Sequence, residues 1–179
     1  MINKVVAVSI VCLFSSSMVL ASDSGDMYTG LQYASGSYNE DGFDEVNPSM
    51  LVGKFGKYIN DSFAMEGRLA FGVQDDSINY LGVDITLDID SMIGVYGVGN
   101  MDLNDTSSVY GLVGFTRAEA TVSADGFGSD SSSESGLSFG VGANVGLSDD
   151  LSLNVEYMQY LNKSDFDLSA LSLGVTFGF

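Results

Sequence analysis

There is no histidine and no tryptophan in this chain, one proline (Pro48) and one cysteine (Cys12). Each scarcity removes a class of chemistry. Without histidine, the usual proton shuttle of hydrolases and acyltransferases is missing, so an enzyme is not expected. Cys12 lies inside the apolar stretch of an N-terminal leader, so the mature chain has no thiol, no disulfide and no thiolate metal site. Bases are scarce too, six against 24 acidic residues. Long apolar runs are also missing beyond the leader, so no membrane-crossing helix is expected.

Residues 1–21 read as a secretory signal. Lys4 supplies the positive start, Val5 to Phe14 the apolar segment, and Val19-Leu20-Ala21 the small-residue cleavage site. The expected mature unit is a single domain, residues 22–179. It keeps five bases against all 24 acids, a charge of −19. Such a charge repels nucleic acid. Disorder is not expected, because 45% of the residues are hydrophobic.

What is abundant is glycine, with 22 residues, all after the leader, and a period-two alternation. Leu171, Leu173, Val175, Phe177 and Phe179 alternate with serine, glycine and threonine. Leu137 to Leu147, Leu151 to Tyr157 and Phe63 to Val73 repeat the pattern. Side chains of a strand point to opposite faces in turn, so each segment has one greasy and one small or polar face. The pattern predicts eight strands, near 26–37, 49–59, 63–74, 83–100, 106–120, 134–147, 151–161 and 168–179. Short turns at Asn60-Asp61, Leu103-Asn104-Asp105 and Asp149-Asp150 alternate with longer connections, including 75–82 and a Ser/Asp/Gly tract at 124–135 expected to be mobile.

A secreted sandwich would also alternate, but its outer face carries many Lys and Glu. Here the second face is dominated by Gly, Ser, Ala, Thr and Asn, which suits the crowded lumen of a small closed barrel. Two aromatic belts are expected at the membrane interfaces. Tyr28, Tyr58, Phe63, Phe177 and Phe179 would form one, and Tyr33, Phe71, Phe115, Phe139 and Tyr157 the other. The fold class is therefore an all-β, eight-stranded, antiparallel up-and-down transmembrane barrel, closed because hydrocarbon offers no partner to a free backbone.

Carried through, the alternation puts Lys54, Glu66, Arg68 and Glu156 inside, as a mutually neutralising polar plug. Asp84, Asp88 and Asp90 share a face of the fourth strand near the acidic stretch Glu40 to Glu45. A solvated acidic face is expected there rather than a divalent-cation site, and no cofactor is expected anywhere. Gly140, Gly142, Gly146, Gly174 and Gly178 on the inner face leave some room for a narrow channel.

Over its mature length the chain resembles the small outer-membrane β-barrel proteins. The terminal strand with Leu173, Val175, Phe177 and Phe179 is similar to that family's recognition signal for the barrel-assembly machinery. Residues 136–157 are similar to its penultimate hairpin, and Asn60 to Arg68 to its second short turn entering a strand with an inward Glu. The resemblance implies an outer-membrane location, contact with outer-membrane lipids, and a structural or adhesive role with an extracellular ligand taken by the acidic loops. A narrow passive channel is the alternative. A C-terminal peptidoglycan-binding domain is not expected.

Overall fold

The computed structural model describes residues 24–40, 47–74, 76–80, 83–124, 128–162 and 166–179. The leader and the acidic stretch 41–46 lie outside the described residues, as do the side chains of Asp84 and Asp88.

Among the described residues nine strands follow one another: β1 (Met27–Glu40), β2 (Ser49–Asn60), β3 (Phe63–Gln74), β4 (Asp76–Tyr80), β5 (Val83–Asn104), β6 (Ser107–Ala124), β7 (Gly128–Gly146), β8 (Leu151–Asn162) and β9 (Phe166–Gly178). Every pairing is between antiparallel neighbours, β1 pairs with β9, and β3 pairs with β5, so the sheet closes on itself. β3 and β4 both lie against the same edge of β5, at Met92–Gly99 and Val83–Leu87 respectively, and together make one stave. The barrel thus has eight staves.

Two expectations change here. The connection expected at 75–82 contains β4, held by the ladder that β5 offers beyond the barrel wall. The Ser/Asp/Gly tract is also ordered from Gly128 on, paired residue by residue with β6 as far as Ala124↔Gly128. Its local strand propensity is poor. The ladder already formed lower in β6 and β7 extends into it, aided by cross-strand contacts from Thr121 to Ser131 (2.8 Å) and from Arg117 to Ser133 (2.8 Å).

The closure is staggered. Following paired residues from Met27 through Lys57, Met65, Gly97, Val113, Phe139, Gln159 and Ser169 returns to β1 at Ser37, ten residues from the start. Such a stagger tilts the staves by roughly 35–45° from the barrel axis. Asparagines shape two of the short turns. Asn60 Oδ1 accepts from the amides of Ser62 and Phe63, and Asn104 Oδ1 from that of Thr106. Met27 and Phe179 exchange two backbone hydrogen bonds, sealing the first and last strands at that rim.

The paired positions keep even residues opposite even ones all round the wall. Lumen positions are therefore even-numbered over most of every stave. Odd positions carry Leu, Val, Ile and Phe into the surroundings. Phe115 is 67% exposed and Leu173 63%, in a continuous apolar band. Water would make that band an aggregation surface; the hydrocarbon of a bilayer covers it.

Candidate functional site

The structure places all four inward charges inside the wall, Glu156 at 1% exposure, Glu66 at 3%, Arg68 at 4% and Lys54 at 5%. Three of them touch. Arg68 grips Glu156 with both terminal nitrogens (Nη1–Oε1 2.5 Å, Nη2–Oε2 2.8 Å) and donates from Nε to Glu66 Oε1 at 2.6 Å. A planar fork matches a carboxylate in this way, and charge assistance makes such contacts the strong ones. Lys54 sits opposite Arg68 across β2 and β3, but its ammonium turns away and lies 5.6 Å from the centre of the Tyr110 ring. Its stabilisation comes from the ring face and from the field of the two carboxylates.

Tyrosines complete the layer, and the sequence reading did not foresee them. Tyr28 donates to Glu66 Oε2 (2.6 Å) and Tyr110 to Glu156 Oε2 (2.8 Å), while Arg68 stacks 5.1 Å from the Tyr96 ring centre. Ser138 Oγ donates to the carbonyl of Tyr160, so Thr116 donates to Ser138 and Tyr96 to Thr116, each at 2.6 Å. Tyr28 and Tyr58, expected in the lower lipid belt, instead face the lumen, with ring centroids 5.4 Å apart. A phenol hydroxyl needs a partner that hydrocarbon cannot supply, whereas the lumen can. The phenylalanines with described side chains all hold odd, outward positions.

Space for these side chains comes from glycine on the next strand. Tyr28 is paired with Gly56, Lys54 with Gly30, Tyr96 with Gly114, Tyr110 with Gly142, Met158 with Gly140, and Gln32 with Gly174. A Cβ at Gly56 would lie 2.1 Å from the Tyr28 ring, and one at Gly142 would lie 2.4 Å from that of Tyr110. The inner glycines Gly140, Gly142 and Gly174, read from sequence as free room, are therefore occupied by their neighbours' side chains.

The lumen is layered. Towards the long-connection end it is apolar, with Met50, Met92, Met158, Tyr160, Leu161 and Leu168 all buried. Mid-barrel is the ionic layer. Below it a cavity of about 520 Å³ reaches the short-turn rim and ends against Tyr28, Lys54, Glu66 and Tyr110. Of the acidic strand face, Asp90 is described: it is exposed and accepts a hydrogen bond from Thr121 (2.7 Å). Leu173, Val175 and Phe179 stand on the outer face of β9 and its end, with the Phe177 and Phe179 rings stacked 6.4 Å apart.

The family model described as "Outer membrane protein beta-barrel domain" matches residues 7–179. No curated protein sequence matches the chain. Among solved structures, Ail, the attachment invasion locus protein of Yersinia pestis, is similar at 21% identity with a TM-score of 0.64, covering 87% of this chain and 99% of that one. A second structure of that protein, at 21% identity and a TM-score of 0.63, is a complex with the heparin analogue sucrose octasulfate and has the same coverage. Neisserial surface protein A is similar at 17% identity, 87% and 100% coverage and a TM-score of 0.64. OprG from Pseudomonas aeruginosa is similar at 14% identity, 90% and 99% coverage and a TM-score of 0.57.

Proposed function

Since this chain belongs to the outer membrane protein β-barrel domain family, a protein of the outer membrane, we propose that it is a non-catalytic surface-interaction protein. The barrel is a rigid anchor, and the strands that outrun it are the working part. One observation carries this reading. β5, β6 and β7 stay paired well beyond the last residues that pair with β8 and β9, forming a sheet that stands out from the wall. The name of the similar attachment invasion locus protein accords with it. Leu173, Val175, Phe177 and Phe179 serve as the signal for the barrel-assembly machinery, after the leader has been removed.

Cells producing the full chain are compared with cells in which residues 120–132 are replaced by Asn-Gly, leaving Glu119 and Ser133 as the last pair. Retention is measured on surfaces coated with basic, neutral and acidic polypeptides. The reading expects retention that is lost with the projection, and equal retention refutes it.

Passive conduction is the second reading, favoured by the 520 Å³ cavity at the short-turn end. It requires ions to pass the Arg68 clamp and the methionine layer above it. Eight-stranded barrels fill their interior with side chains, so recordings in planar bilayers are expected to show no unitary steps for the unaltered protein. Regular steps would transfer the conclusion to a channel.

A further inference from the structure

The cavity below the ionic layer is a blind pocket. It reaches the rim of short turns, which faces the periplasm, and it closes on Tyr28, Lys54, Glu66 and Tyr110.

Its ceiling carries a surplus of donors. All four carboxylate oxygens there are bonded without Lys54. Glu66 accepts from Arg68 Nε and from Tyr28, and Glu156 accepts from both terminal nitrogens of Arg68 and from Tyr110. An ammonium has three N–H donors. Among the described residues that of Lys54 meets no acceptor, only the Tyr110 ring 5.6 Å away. The residue is 5% exposed, and burying a charge without hydrogen bonds is costly. The cavity that Lys54 lines is where an acceptor can stand. The same wall holds a second buried donor without an acceptor among the described residues, Nδ2 of Asn100.

Its mouth has the opposite sign. Asp26, Asp102, Asp105, Asp149 and Asp150 line it, and Lys54 is the one base in the described wall. No three described acidic groups come together closely enough to hold a metal ion, so the aspartates act as a diffuse negative rim. Such a rim admits cationic groups and turns anions away. Register sets the spacing of the two ends. Asn100 is paired with Tyr110, whose ring carries the Lys54 ammonium, and Asp102 lies two residues further towards the turn on the same face. Two strand residues span about 7 Å.

We propose that this pocket binds a short peptide with free ends, about two or three residues long, its carboxylate on Lys54 and its amino end among the aspartates. An α-amino acid holds its two charges too close together to meet both ends, and an inorganic anion is repelled at the mouth. A zwitterion also leaves the ionic layer of two bases and two acids balanced. Between the ends, Ser108, Ser152, Asn144 and Thr176 offer hydroxyl and amide groups to the peptide bonds. A volume of about 520 Å³ lies in the range of small-molecule sites. The ligand enters and leaves by the periplasmic mouth, because the Arg68 clamp and the apolar layer close the way above. This site is at the opposite end of the barrel from the projecting strands and is independent of the surface-interaction reading.

The test titrates the full mature chain in nanodiscs with trialanine, followed by nuclear magnetic resonance. Alanine, N-acetyl-trialanine and trialaninamide are the companions. Trialanine is expected to shift the resonances of Asn100, Tyr110 and Ser152. Each companion lacks one charged end or the length to use both, and should bind about tenfold more weakly, the worth of one charge-assisted hydrogen bond. Lys54→Met should weaken trialanine about tenfold and leave trialaninamide unchanged. If that variant does not fold, the four ligands on the unaltered chain decide. Absence of shifts with trialanine, the pocket then holding water only, overturns the proposal. So does binding of alanine or trialaninamide as tight as that of trialanine, or shifts confined to the projecting strands.

Discussion

Replacing Arg68 by methionine tests the ionic layer most directly. The substitution keeps bulk and removes three charge-assisted contacts, two to Glu156 and one to Glu66. Both carboxylates are almost fully buried, so they would be left without their main counter-charge. Removing one partner of a buried pair costs about 3–5 kcal/mol. Two features moderate the loss. Tyr28 and Tyr110 still donate to the stranded carboxylates, and Lys54 lies directly across the strand pair. Arg68→Met alone should therefore cost about 3 kcal/mol, the low end of that range. Lys54→Met alone should cost about 1 kcal/mol, because its ammonium makes a ring contact rather than an ion pair. Together they should cost more than the sum, with a coupling of about 1–3 kcal/mol, since Lys54 is the substitute that the single variant relies on. Urea titrations in lipid vesicles, followed by circular dichroism and by the migration shift of folded barrels on gels, measure all four corners of the cycle. An Arg68→Met protein within about 0.5 kcal/mol of the parent, the usual scale of surface substitutions, would show that the clamp does not hold the barrel together.

Three further outcomes follow from the same geometry. Gly114→Ala should prevent folding or nearly so, because its Cβ would stand 2.1 Å from the carbonyl oxygen of Val95, while Gly67→Ala, with nothing within 4 Å, should migrate as a folded barrel like the parent. Truncating Phe179, which removes both the outer aromatic and the backbone bonds to Met27, should lower the yield of folded protein in outer-membrane fractions severalfold. Sucrose octasulfate, bound by the similar Yersinia pestis protein, should give no heat in calorimetry with this chain, because a net charge of −18 repels a polyanion.

The alternation made the wall legible from sequence, since a lipid face and a crowded inner face leave opposite marks on odd and even positions. It also put Lys54, Glu66, Arg68 and Glu156 on the inner side. What it did not reveal was the pairing within the lumen. Arg68 and Glu156 are 88 residues apart and meet only through the stagger of the closed sheet, which no local pattern encodes. Tyr28 and Tyr58 were misplaced because an aromatic near a strand end was read as a belt residue, although both sit on even positions. That parity was the available signal. The greasy filling at the long-connection end was missed for a similar reason. Met50, Met92 and Met158 interrupt a face otherwise rich in small residues, and each looks like an isolated irregularity until closure brings them together. The upper part of β7 escaped notice because its composition argues for a loop, and only the neighbouring β6 supplies the ladder.

Conserving even-to-even pairing at each turn also governs how such a gene can change. A single codon inserted in mid-stave would turn outward phenylalanines such as Phe115 and Phe139 inward and lumen tyrosines such as Tyr96 and Tyr110 towards lipid, up to the next irregularity. Length can drift by one only beyond the hydrocarbon, as at the irregularities between Ile89 and Ser91 and between Gln159 and Leu161, both near the outer rim. The membrane-embedded part is in effect a reading frame of two residues, and selection on this protein is expected to tolerate paired insertions in the staves where it purges odd ones.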